Sequence, residues 1–226
     1  MDSKINNNLS DILRLKFLSI FQNNIKLLDN KQSIEGWKST ELRNIIKIID
    51  NRGKTPSIVN YDTGYPLLEI GSIRTSGRII SYDKVEKYVE KDVYNTWFRS
   101  GHPIENDILL STVGSVAETK MFFGSKGCIA QNIVGLRCLN EELAYYTFEY
   151  LNYYKNKLMS YEIGSVQASI KVSNVINLII HIPPKCLLNE FNIIAKEISN
   201  QLYINELEIQ DLRKIKFHLL TKLTQQ

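Results

Sequence analysis

Residues that most often carry chemistry are scarce in this chain, with three cysteines and three histidines among 226 residues. Cys128, Cys138 and Cys186 share no zinc-type spacing and read as reduced thiols in a reducing compartment. His102, His181 and His218 fall in a loop, a strand end and the terminal helix. None stands at ligand spacing from another His, Cys or carboxylate, so no metal site is expected. Cys128 and His102 can be drawn as nucleophile and base, yet a lone Cys beside Ile129 and Ala130 is ordinarily a small buried hydrophobe. The stretch 120–127 holds two glycines without a Walker pattern, no Gly-x-Gly-x-x-Gly follows a strand, and no Asn-Pro-Pro-Tyr occurs. These absences argue against an enzyme, and no catalytic residue is assigned. Also missing are any run of about 18 apolar residues and any signal-peptide pattern, which points to a cytoplasmic chain with no membrane partner. Charge is not lopsided either. A formal net charge of +4 and a pI near 8.8 permit nucleic-acid binding without demanding it.

Proline is rare as well, and two of the five are adjacent. The segment GSVQASIKVSNVINLIIHIPP (164–184) reads as strand-rich, its apolar residues running from Val172 to Ile182 and ending at Pro183–Pro184. Two prolines donate no backbone hydrogen bonds and hold the chain extended, so they close a globular part sharply. From Leu187 to Leu223 there is neither Gly nor Pro, and apolar residues recur at helical spacing. Ile198, Leu202, Ile209, Leu212 and Leu219 follow the 4-3 rhythm of a coiled-coil seam, with Asn205 on the same stripe as a register-setting polar residue. A seam of this kind requires a second helix. From 188 to 223 it would span on the order of 50 Å, at about 1.5 Å per residue.

The chain divides into three parts. Residues 1–34 form a helical leader, with Ser10 or Asp11 as a cap and apolar residues around more than one face of 11–22. Such a helix either packs on the domain or docks to a partner. Residues 35–184 form a globular domain, in which Ile45, Ile46, Ile48 and Ile49 make a β-branched run. Between 55 and 140 glycines punctuate short strands and loops. Residues 141–160 read as helical, with Leu143, Tyr146, Tyr150, Leu151 and Leu158 on one side. Residues 185–226 are the long terminal helix. The fold class is α+β.

Two loops suit an anionic ligand. NRGKTPS sets Arg52 and Lys54 around Gly53, where backbone amides and cations can approach a phosphate. GSIRTSGR places Arg74 and Arg78 among small hydrogen-bonding residues, and arginine can reach guanine bidentately. Taken alone, either loop is equally a solvated turn with scattered charges. Tyr145, Tyr146, Tyr150, Tyr153 and Tyr154 suggest base stacking, but at helical spacing they fit core packing with an amphipathic rim better.

Several pieces, in this order, resemble the specificity (S) subunit of type I restriction-modification systems. GWKSTELRNIIKIIDNRGKTPS looks like the opening of a target recognition domain, and GYPLLEIGSI (64–73) like the segment that follows. ENDILLSTVGSVAETKMF (105–122) resembles the family's strand and loop, with Asn106 for the usual first Gly and Ser115–Val116 for the usual Ile-Gly. GCIAQNIVGL (127–136) is similar to the Asn-Gln segment, with Gln131–Asn132 in reversed order. The double proline followed by the long helix matches the domain ending, Glu190–Phe191 standing for the usual Glu-Gln. The resemblance covers roughly 35–223 and lies in the joint order of loose motifs.

The resemblance implies a half-sized form with a single target recognition domain, since members usually carry two, each followed by a long helix, the two pairing antiparallel as a spacer. It implies double-stranded DNA as partner, read at a bipartite site, and either a homodimer or pairing with a second half S subunit. Adenine methyltransferase (M) subunits, which would hold S-adenosylmethionine, and a restriction/translocase (R) subunit are the other implied partners. This chain would bind no cofactor and no metal itself. Expected DNA-binding residues are Arg52, Lys54, Thr55, Arg74, Ser76, Arg78, Thr112, Ser115 and Lys120. The expected dimerisation seam is Ile198, Leu202, Asn205, Ile209, Leu212 and Leu219. The rival readings are a coiled-coil interaction module without DNA function, or an inactive S-subunit fragment.

Overall fold

The computed structural model describes residues 2–60, 64–124, 126–164 and 168–224. Helix α1 (Asp2–Asp29) opens the chain. It contains no Gly or Pro, and its buried apolar residues Leu13, Phe17, Phe21 and Ile25 recur every four positions, so one of its apolar faces is turned into the core. It stops where Lys31 takes φ 63°. The Gln32 N–H then reaches Leu27 O and the Lys31 N–H reaches Leu28 O, which satisfies the last carbonyls.

The domain follows as β1 (Lys38–Glu41), β2 (Ile46–Ile49), β3 (Tyr65–Leu68), the short helix α2 (Ile70–Ile73), β4 (Tyr88–Val89) and α3 (Lys91–Thr96). Next come β5 (Ile108–Ser111), β6 (Thr119–Met121), β7 (Cys128–Ile129) and β8 (Ile133–Cys138). Helices α4 (Ala144–Tyr153), α5 (Lys155–Met159) and α6 (Val172–Ile176), strand β9 (Ile179–Ile182) and helix α7 (Lys185–Thr224) complete the chain.

The central sheet is antiparallel in the order β2-β8-β5-β6. Every residue of β5 is buried, and so is all of β8 but Arg137, because helices or loops cover both faces. Gly135 sits opposite both Ile49 and Leu109, and a Cβ there would stand 3.2 Å from the Ile49 side chain. A second sheet orders β4-β3-β7, with β3 and β7 parallel, and β1 pairs with β9.

Of the β-branched run at 45–49, residues 46–49 form a strand, but the segment before the double proline is only partly one. Residues 172–176 form the short helix α6, and only 179–182 are strand. Val172, Val175 and Ile176 are spaced three and four apart, not two, so a helical turn puts all three against the core, with Val175 fully buried. Residues 165–167 of that segment lie outside the described residues.

The largest core joins α1, α4 and α7. Phe21 meets Tyr146 edge-on at 5.0 Å and Phe191 at 5.6 Å, and Phe17 meets Phe191 at 6.0 Å. Tyr146 and Tyr150 are fully buried, and their hydroxyls donate to the carbonyls of His181 and Ile179. Each such ring contributes roughly 1.5–3 kcal/mol by burial, so the leader helix is an integral part of the domain. It runs antiparallel to α7: the Lys16 ammonium bonds Glu190 at 2.8 Å, while Asn6 bonds Glu206 at 3.1 Å.

Candidate nucleic-acid interface

One rim of the central sheet gathers loops from four distant parts of the sequence. Arg52 is clamped there. Its Nε and Nη2 donate to Asp50 at 2.9 and 2.7 Å, and its Nη1 donates to Thr112 Oγ1 at 3.2 Å. These bonds from Arg52 outweigh burial and hold the Asp50 carboxyl below its ordinary range, with Arg99 nearby adding to the effect. Thr112 is fully buried, and its N–H and hydroxyl both donate to Asn132 O, which ties the end of β5 to the turn before β8. In that turn Gln131 adopts φ 58°, and its amide donates to the exposed Thr55 hydroxyl at 2.6 Å. Lys54 is exposed on the same loop. Arg52 and Thr112 therefore brace the rim, while Lys54 and Thr55 face solvent upon it.

The remaining candidates lie elsewhere. Arg74 and Ser76 are exposed on the loop after α2, beside Lys84 and the Arg213 turn of α7 around a cavity of about 280 Å³. Arg78 and Lys120 are buried. The Arg78 guanidinium lies over the Phe148 ring and pairs with Glu149. Lys120 Nζ donates to the carbonyls of Thr75 and Gly77, so it holds the 74–78 loop closed from within. Burial pushes the Lys120 ammonium down to about 8. Ser115 is half-buried in the β5–β6 turn, where its carbonyl accepts from the Ser111 hydroxyl.

The structure thus separates two groups of candidates: Arg52, Lys54, Thr55 and Thr112 on the rim, and Arg74, Ser76, Arg78 and Lys120 around the 74–78 loop. Residues that the sequence reading left unassigned complete the rim: Asp50, Asn51, Arg99, Ser100 and Gln131. Asp50, Asn51 and Gln131 lie in segments that carry the resemblance, whereas nothing local marked Arg99 and Ser100, whose contacts span about 50 residues.

Cys128 and His102 do not act on each other. The Cys128 thiol donates to Pro66 O and burial raises its pKa, while His102 Nε2 bonds Tyr94 O and its ring stacks on Tyr94 at 3.5 Å. Among the described residues no three His, Cys, Asp or Glu stand close enough to hold a metal ion, and no helix is long and apolar enough to cross a membrane.

On α7 the seam residues divide by position. Leu202 and Ile209 are buried within the chain, Ile198 packs on the same core, and Asn205 Nδ2 donates to Asn6 Oδ1 at 2.8 Å. Leu212 and Leu219 are 57% and 55% exposed, and Ile215 and Leu223 beside them are exposed too.

A strand-rich domain thus packs on two antiparallel helices and carries braced and exposed cations on one loop rim. Residues 34–217 match the family described as the type I restriction modification DNA specificity domain, and the chain belongs to that family. It is similar in fold to the HsdS subunit of Thermoanaerobacter tengcongensis, with 16% identity and a TM-score of 0.54 over 93% of this chain and 50% of that one. A chain from a structure described as bearing on complex assembly and conformational transition of the type I R-M system matches at 16% identity and TM-score 0.51, over 98% of this chain and 56% of that one. This chain therefore spans about half the length of either. No curated protein sequence matches it.

Proposed function

We propose that this chain is the sequence-specific, double-stranded DNA recognition subunit of a type I restriction-modification system, present as one recognition half. It reads one part of a bipartite site, and a second half, identical or different, reads the other. Adenine methyltransferase subunits holding S-adenosylmethionine, and a restriction/translocase subunit, do the chemistry; this chain binds neither cofactor nor metal and works in the cytoplasm with its DNA. Lys54, Thr55, Arg74 and Ser76 are the exposed DNA contacts, braced by Arg52, Thr112, Arg78, Ser115 and Lys120. Phosphate contacts by the cations supply most of the salt-dependent affinity, and a few side chains on the rim read base edges.

One observation carries the pairing. Asn205, Leu212 and Leu219 are spaced by whole heptads and so share one face of α7. At Asn205 that face is covered by α1, but roughly 20 Å further on it is bare and apolar. An antiparallel helix from a second half, laid end to end with α1, would cover it.

The test is methylome sequencing of cells expressing this chain with its methyltransferase subunit. A palindromic bipartite motif is expected for an identical second half and an asymmetric one for a different half. Methyltransferase assembly without any sequence-specific methylation would instead favour a coiled-coil interaction module or inactive fragment.

A further inference from the structure

We propose that Arg99 is a base-reading residue that recognises guanine in the major groove, carried on a readout loop at 97–101. The inference rests on the DNA-recognition reading above and assigns a role to a residue outside the motifs that carry the family resemblance.

The loop leaves α3 and is fixed before any ligand arrives. Phe98 points inward and is buried, packed edge-on against Trp97 at 4.7 Å. The Ser100 N–H donates to Asn51 Oδ1 at 2.9 Å, and its hydroxyl donates to Asp50 O at 2.7 Å. Asn51 Nδ2 returns a bond to Gly101 O at 2.9 Å, and Gly101 turns the chain at φ 76°. Between these anchors Arg99 is exposed at the tip.

Its guanidinium is held on one side only. Nη2 donates to Arg52 O at 2.8 Å, and among the described residues Nε and Nη1 have no protein partner. Asp50 is the acid that acts on it, and that carboxylate is already bound by Nε, Nη2 and the backbone N–H of Arg52. The two arginines of the rim therefore differ in kind. Arg52 is neutralised in place and braces the loops, whereas Arg99 presents free donors on a fixed mount. Guanine offers two acceptors side by side, O6 and N7, that match a guanidinium fork, while adenine puts a donor where the second acceptor should be. Lys54, Thr55 and Gln131 on the same rim are placed to hold the backbone and adjoining edges, so the fork meets the groove in one register.

Duplexes selected from a randomised library by the full-length wild type, Arg99→Ala and Arg99→Lys chains test this. The wild-type half-site should contain a guanine whose preference, about tenfold or more, falls to within about twofold in Arg99→Ala, with the other positions unchanged. Arg99→Lys should relax the same position despite its charge, because lysine lacks the planar fork. Neither variant should melt appreciably earlier, since the side chain is exposed. An unchanged motif with affinity lowered uniformly in Arg99→Ala and restored in Arg99→Lys would make Arg99 a phosphate contact and overturn the inference. If the folded wild type selects no motif at all, the DNA-recognition reading fails, and this inference with it.

Discussion

Arg78 and Glu149 face each other with side chains only 5% and 3% exposed, so neither ion can regain water if the other is removed. Arg78 Nε and Nη2 already lack partners, which leaves Glu149 as the compensating group. Glu149→Gln should therefore cost about 3–5 kcal/mol in urea unfolding, the usual penalty for stranding a buried charge. The double variant Arg78→Met/Glu149→Met removes both charges and should recover most of that loss. An unchanged urea midpoint for Glu149→Gln would mean that the pair is solvated. Arg78 was visible in the sequence as a cation in a polar loop, but its burial was not, since Glu149 lies 71 residues further on.

At the level of helices, α1 and α7 form an antiparallel pair with a polar knot near one end. Gln201 donates to Asn205, Asn205 to Asn6, and Asn6 to Glu206. Asn6 is only 4% exposed, so its amide oxygen depends on Asn205. Asn205→Leu should lower the melting temperature of the single chain, with a stability loss of about 1 kcal/mol. Pairing it with Asn6→Leu should restore much of the loss, because the buried Asn6 amide is then no longer left without its partner. A more stable Asn205→Leu chain would place Asn205 against a second polypeptide instead. The 4-3 spacing on α7 was legible because periodicity is local. Which helix covers it was not, because α1 is nearly 200 residues away and its apolar residues spread around more than one face.

For the whole molecule, α7 works in two zones. Up to Ile209 it belongs to this chain's core, and Arg213 still pairs with Asp83 of the domain. Beyond that point Leu212, Ile215, Leu219 and Leu223 are all more than half exposed. The double variant Leu212→Lys/Leu219→Lys should thus leave the domain's melting temperature nearly unchanged while abolishing association with a second half. Sedimentation of the co-expressed halves measures this directly. A fall in the single chain's stability as large as the loss of association would show that these leucines serve the domain.

Periodicity and the double proline were enough to determine an α+β chain with a globular domain and a long terminal helix, because each is a local property of the residues. Tertiary structure alone decided that the leader helix occupies part of the seam, that Arg78 and Lys120 turn inward, and that Arg99 stands on the rim against the Arg52 carbonyl. These outcomes depend on burial and on hydrogen bonds between residues far apart in sequence, whose side-chain types carry no record of what they meet.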